Sequence, residues 1–175
     1  MIYIFGDSFA ASRNSDSWTT LLGQDITNCS SNGSSEYRIW KTFKQYQSKL
    51  TDKDICIFVH TSPYRIFLKD DVPISSRAVD THTHCDLIFN DIYSKNEKQF
   101  INVLTTIWDD EYFDDTFTLY VKDLLTVPNS VHITFFPSKL VDSFHDIWSA
   151  NKGTTNHMSQ TGNRLTAERI LKIIS

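Results

Sequence analysis

A serine stands directly after a short apolar run near the amino terminus, in Ile4-Phe5-Gly6-Asp7-Ser8-Phe9-Ala10. A histidine stands near the other end, in Asn156-His157-Met158-Ser159-Gln160-Thr161-Gly162. A serine hydroxyl is a weak nucleophile at neutral pH and needs a base within hydrogen-bond reach to take its proton. Histidine is the usual base, because its ordinary pKa lies near neutrality. Each fragment also has a plainer explanation. A Gly-Asp-Ser turn can simply cap a helix, and a polar loop before a helix can carry a histidine by chance. A nucleophile elbow of the α/β-hydrolase kind fits poorly, since there the serine follows a strand in mid-chain. The two fragments amount to acyl-transfer chemistry only if the fold brings both ends of the chain together.

The apolar pattern predicts the elements that must do this. Ile2 to Phe5 reads as a buried strand ended by Gly6-Asp7. Ser17 or Asp16 can cap a short helix carrying Trp18, Leu21 and Leu22, stopped at Gly23. Ile26 to Cys29 is a second short strand, followed by the polar loop Ser30-Ser31-Asn32-Gly33-Ser34. Ile39, Trp40, Phe43, Tyr46 and Leu50 recur at helical spacing, with Trp40 and Phe43 as core. Ile55 to Val59 is a continuous apolar strand of the kind covered on both faces in a parallel sheet. Residues 61–93 carry Pro63 and Pro73 without a period and read as a loop-rich insertion. Helical spacing resumes near Asn96 and runs again through Tyr120, Leu124 and Leu125, and Val131 to Phe136 is a further strand. Lys139 to Trp148 fits no single pattern, and about Gln160 to Ile174 is an amphipathic helix. This alternation predicts one α/β domain over residues 1–175, a three-layer sandwich with about four or five parallel strands flanked by helices. In such sheets, sites form beyond the carboxyl ends of the strands.

Composition narrows the function. The net charge is -4 and the seventeen Lys and Arg residues are scattered, which argues against nucleic acid as a partner. No window has the length of a membrane span. Three cysteines without a CxxC spacing suit a reducing compartment, and Met1 to Phe5 lacks the basic start of a signal peptide. A cytoplasmic protein is therefore expected. His82, His84 and Cys85 supply metal-ligand types within Asp80 to Asp86, but a site needs three or four ligands from separate elements. A polar substrate-side loop is the preferred reading there, with no metal. The acidic run from Asp109 to Asp115 reads as a solvated helix end, and His132 and His145 as packed or surface histidines.

With Asn28 and the Asn32-Gly33-Ser34 loop between them, the Ser8 and His157 fragments resemble the SGNH (GDSL-type) hydrolase family. The resemblance runs from Phe5 to Ile174 in order and spacing, and is closest to small members carried by phages and bacteria. It implies a flavodoxin-like layered fold, Ser8 as nucleophile, His157 as general base, and an oxyanion hole from the backbone N–H groups of Ser8 and Gly33. It implies no cofactor, and a small-molecule ester as substrate, such as an O-acetyl group on a carbohydrate. Asp7, Thr61, Ser62, Arg65 and Thr154 are the remaining candidates for substrate or oxyanion support. Two positions depart from the family's pattern. The family commonly has an asparagine after its third strand, where this chain runs His60-Thr61-Ser62-Pro63-Tyr64-Arg65. It has an aspartate three residues before its histidine, where this chain has Thr154. These departures leave a second expectation open: a weak or silent SGNH-like domain that binds a ligand or a protein.

Overall fold

The structure is a computed structural model, and it describes residues 1–12, 14–23, 25–63, 65–67, 87–88, 110–153 and 157–175. In chain order the elements are β1 (Ile2–Gly6), α1 (Ser8–Ala11), α2 (Trp18–Leu21), β2 (Ile26–Asn28), α3 (Glu36–Tyr46) and β3 (Ile55–His60). They continue with β4 (Arg65–Ile66), β5 (Leu87–Ile88), α4 (Asp110–Leu124), β6 (Ser130–Thr134), β7 (Asp142–Ser143), α5 (His145–Ala150) and α6 (Gln160–Ile174). Five strands form one sheet in the order β2-β1-β3-β6-β7, and every pairing in it is parallel.

The strand sequences explain their places. β1 and β3 are apolar at nearly every position because both lie inside the sheet, covered on both faces. Alternation then divides their side chains. Ile4, Ile57, Val59 and Ile133 point to one face and pack with Trp18 of α2 and with Ala167 and Ile170 of α6. Phe5, Cys56 and Phe58 point to the other and meet Ile39 and Phe43 of α3 and Leu124 of α4. Phe5 and Phe58 stack with ring centroids 5.4 Å apart, and Phe43 meets Phe5 edge-on at 5.6 Å. Helix starts are marked chemically: the Ser35 side chain accepts from Arg38 N, and the Ser159 side chain from Gly162 N. No helix among the described residues is long and apolar enough to cross a membrane.

Lys139 to Trp148, which fits no single pattern in sequence, resolves into β7 and α5. Two residues are too few to show a strand period, and β7 is held by register with Ile133 and Thr134. Within residues 61–93 the described residues include a short antiparallel pair, Arg65–Ile66 against Leu87–Ile88. The helical spacing near Asn96 and the His82–His84 stretch lie outside the described residues. Glu111, Asp114 and Asp115 are exposed in the first turns of α4.

Gly6 sits where β1, β3 and α1 converge. A Cβ there would lie 2.7 Å from Val59 Cβ and 3.1 Å from Ala10 Cβ. Both neighbours are buried, so the clash has little room to relax. Gly6→Ala is expected to cost ~1–3 kcal/mol, lowering Tm by ~2–12 °C in thermal denaturation. Melting at the wild-type temperature would show that β1 and β3 can separate there freely.

Candidate active site

Beyond Gly6 the chain turns from strand to helix at Asp7. Its backbone is extended, its side chain accepts from Phe9 N at 3.0 Å, and its carbonyl accepts from Ala10 N and Ala11 N. Asp7 is therefore the helix cap and Ser8 the first helical residue, half-buried at the carboxyl edge of the sheet. The plainer explanation of Ser8 as a capping serine does not hold.

Asp7 is itself 1% exposed, and a buried carboxylate must be matched by donors. Its Oδ2 receives the Thr61 hydroxyl at 2.9 Å and Arg65 Nη2 at 3.2 Å. The Arg65 side chain is only 8% exposed, and its Nη1 donates to the Ser34 carbonyl at 3.5 Å. One ion pair thus joins the segments that follow β1, β2 and β3.

The loop after β2 is shaped by its own polar residues. Ser30 N donates to Asn28 Oδ1 at 3.0 Å, and Asn28 Nδ2 donates to Ala10 O at 2.7 Å. Ser31 N donates to Gly6 O at 3.1 Å, which brings the loop against the end of β1. Gly33 has φ +69°, in the left-handed region that favours glycine.

His157 reaches the same edge from the far end of the sequence. Its carbonyl accepts from Gly153 N at 2.6 Å, and Lys152 bridges Met158, so the chain doubles back just before α6. The imidazole meets the Phe9 ring edge-on at 5.7 Å, and Phe9 stacks on Phe135 at 4.8 Å. Trp18 locks the arrangement, donating from Nε1 to Phe9 O at 2.7 Å and from its backbone N to Asn163 Oδ1 at 3.0 Å. The result is a cavity of about 820 Å³ whose wall includes Ser8, Phe9, Asn32, His157, Gln160 and Asn163.

The structure brings Ser8 and His157 to one cavity, with the Asn32 loop beside them. Gly33 is buried behind Asn32 and does not line the wall. Thr61 and Arg65 do not line it either; both are engaged at Asp7. Ser62 is half-buried after Thr61. Thr154 lies outside the described residues.

As a whole, the chain is similar to the crystal structure of a member of the lipolytic protein G-D-S-L family from Veillonella parvula DSM 2008. The TM-score is 0.52 at 10% identity, over 98% of this chain and 96% of that one. At that identity the likeness is one of fold, an α/β sandwich on a parallel sheet. No family model and no curated protein matches the sequence.

One polar cluster has no counterpart in the sequence reading. Glu36 at the start of α3, 4% exposed, places Oε1 2.7 Å from Nδ1 of His60, itself 1% exposed. Glu36 Oε2 accepts from Thr61 N at 3.2 Å. His60 Nε2 lies 2.9 Å from His132 Nδ1, and His132 Nε2 lies 2.8 Å from Ser130 Oγ. The available signal was register: Cys56, Phe58 and His60 alternate onto the α3 face, and His132 pairs beside Phe58. Burial, and then the neighbouring His60, push the His132 pKa down to about 3.

That shift makes stability depend on pH with a definite sign. The unfolded chain protonates His132 near its ordinary value of about 6.5, whereas the folded chain resists protonation. Folding is therefore penalised as pH falls from about 6.5 towards 3, by at most ~1.4 kcal/mol per pH unit from this one group. Wild-type stability measured by urea denaturation between pH 7 and 4 should fall more steeply than that of His132→Gln. Equal slopes would mean that His132 titrates normally in the folded protein.

Proposed function

We propose that the protein is a serine hydrolase of small esters, acting through an acyl-enzyme on Ser8 with His157 as general base. The observation that carries this reading is the single cavity lined by both residues from opposite ends of the sequence. His157 takes the proton from Ser8 Oγ as that oxygen attacks the ester carbonyl, then returns it to the departing alcohol. Water, activated by the same imidazole, attacks the acyl-enzyme and releases the acid and Ser8.

Charge developing on the carbonyl oxygen needs donors aimed at it. The Ser8 N–H, unpaired by helix geometry at the first position of α1, is one candidate. The Asn32-Gly33 loop supplies the others, with Asn32 at the cavity wall and Gly33 holding the turn. Thr61 and Arg65 serve this reading indirectly, by holding Asp7 under Ser8. The cavity's other polar side chains, among them Ser12, Asn14, Asp16 and Gln160, suit a polyhydroxylated alcohol. An O-acetylated carbohydrate is the substrate class that combines a small acyl group with such an alcohol. The fold it shares with a lipolytic protein agrees with ester chemistry. The chemistry as written needs no metal or cofactor.

Two experiments test the reading. Ser8→Ala should abolish p-nitrophenyl acetate turnover and fluorophosphonate labelling, by ~10⁶-fold in kcat for a fully competent site. Its Tm should stay near wild type, because Asp7 and not Ser8 caps α1. Undiminished turnover in a clean Ser8→Ala preparation would sink the assignment. The family's aspartate position is Thr154 here, and an aspartate that orients the imidazole is typically worth ~10⁴ in kcat. Thr154→Asp is therefore expected to raise esterase activity by ~10-fold or more, even if only part of that factor is recovered. A flat result in a folded, Ser8-dependent enzyme would show that the imidazole is already oriented by another group.

A further inference from the structure

Behind the cavity, on the α3 face of the sheet, four polar side chains form a line whose hydrogen bonds have an assignable direction. Ser130 Oγ lies 2.6 Å from the Val127 carbonyl. A carbonyl only accepts, so the one hydroxyl proton points there. The serine oxygen must then accept from His132 Nε2, 2.8 Å away. A neutral imidazole carries a single N–H, so His132 Nδ1 is bare and accepts from His60 Nε2 at 2.9 Å. His60 Nδ1 stands 2.7 Å from Glu36 Oε1. A bare nitrogen and an ionised carboxylate would repel at that distance, so a proton lies between them. It belongs to His60 as an imidazolium or to Glu36 as an acid; the composition is the same. Burial of both residues removes the water that would otherwise compete for these bonds.

The same glutamate reaches the nucleophile's turn. Glu36 Oε2 accepts from Thr61 N, the Thr61 hydroxyl donates to Asp7 Oδ2, and Asp7 Oδ1 accepts from Phe9 N in the helix that begins with Ser8. We propose that Glu36 and His60 share one buried proton at the head of this relay, and that Glu36, acting through Thr61 and Asp7, is a positioning residue for the Ser8 turn. The consequence for catalysis rests on the hydrolase reading above. The relay and the positioning do not.

Proton NMR on the full chain at neutral pH tests the shared proton, using Glu36→Gln. That variant keeps the shape and lets the amide donate to a bare His60 Nδ1 while its oxygen still accepts from Thr61 N. The wild type should show an exchangeable resonance correlated with His60 Nδ1, further downfield than the other imidazole N–H protons of the line, and E36Q should lose that resonance while staying folded. Its absence from the wild type, or its survival in E36Q, overturns the shared proton. Glu36→Ala and Thr61→Val break the path to Asp7 at different links, and the second leaves the glutamate–histidine contact in place should the first fail to fold. Hydrogen exchange at the Phe9 amide should quicken by ~10-fold or more in Thr61→Val. Unchanged Phe9 protection in that variant overturns the positioning role. On the hydrolase reading, kcat should fall with KM little changed, and fluorophosphonate labelling of Ser8 should slow in parallel. A wild type that the probe does not label defeats the hydrolase reading alone, since the resonance and Phe9 exchange still decide the relay.

Discussion

The buried carboxylate of Asp7 is the constraint on which the site's geometry depends. Withdrawing an ionised carboxylate from water costs several kcal/mol, and only donors of good geometry offset it. Asp7 collects three: Phe9 N, the Thr61 hydroxyl and Arg65 Nη2. The guanidinium is less well served. It meets Asp7 and the Ser34 carbonyl, while its buried Nε has no hydrogen-bond partner among the described residues. Such a pair adds little net stability, but removing either member strands a charge. Its effect is directional. Donors from the segments after β1 and β3 must converge on one carboxylate for the charge to be tolerated, and Arg65 carries the link on to the Ser34 carbonyl in the segment after β2.

The parallel sheet makes that convergence available. β1, β2 and β3 all run the same way, so their carboxyl ends arrive at one edge and their following loops become neighbours. Antiparallel strands would have sent alternate loops to opposite edges. The last helix is drawn to the same edge by Trp18, which spans from Phe9 O to Asn163 and links α1 to α6. In this way a histidine close to the carboxyl terminus comes to share a wall with a serine close to the amino terminus.

What the sequence disclosed follows from which interactions are local. β1, β3, α3 and α6 are readable because burial on one or both faces imposes a run or a period. β7 is not, since two residues carry no period and its place comes from hydrogen bonds to β6. Ser8 and His157 are visible as candidates from their residue types and settings. Thr61 and Arg65 read equally well as donors to a substrate; in the fold they turn to Asp7, because a carboxylate buried beside them demands donors continuously. Glu36 looks like any acid in a helix's first turn, and His60 like the polar end of an apolar strand. Only the meeting of the α3 start with the β3 end gives either a partner, and no local pattern encodes that meeting.

The helix that begins with Ser8 shows why these distant contacts matter. It has four residues, far fewer than an isolated helix needs to hold together in water. Its conformation therefore cannot come from propensity. It comes from the Asp7 cap at one end, from Asn28 Nδ2 on the Ala10 carbonyl, and from the Trp18 indole on the Phe9 carbonyl. Each of these anchors belongs to, or is held by, a different element of the fold. Any motion of Ser8 relative to His157 must then disturb the cap, the β2 loop or the Trp18 link, all of them buried or partly buried bonds. On the proposed hydrolase reading, the precision that acyl transfer demands of a nucleophile and its base resides in the surrounding sheet edge, and the short helix only displays it.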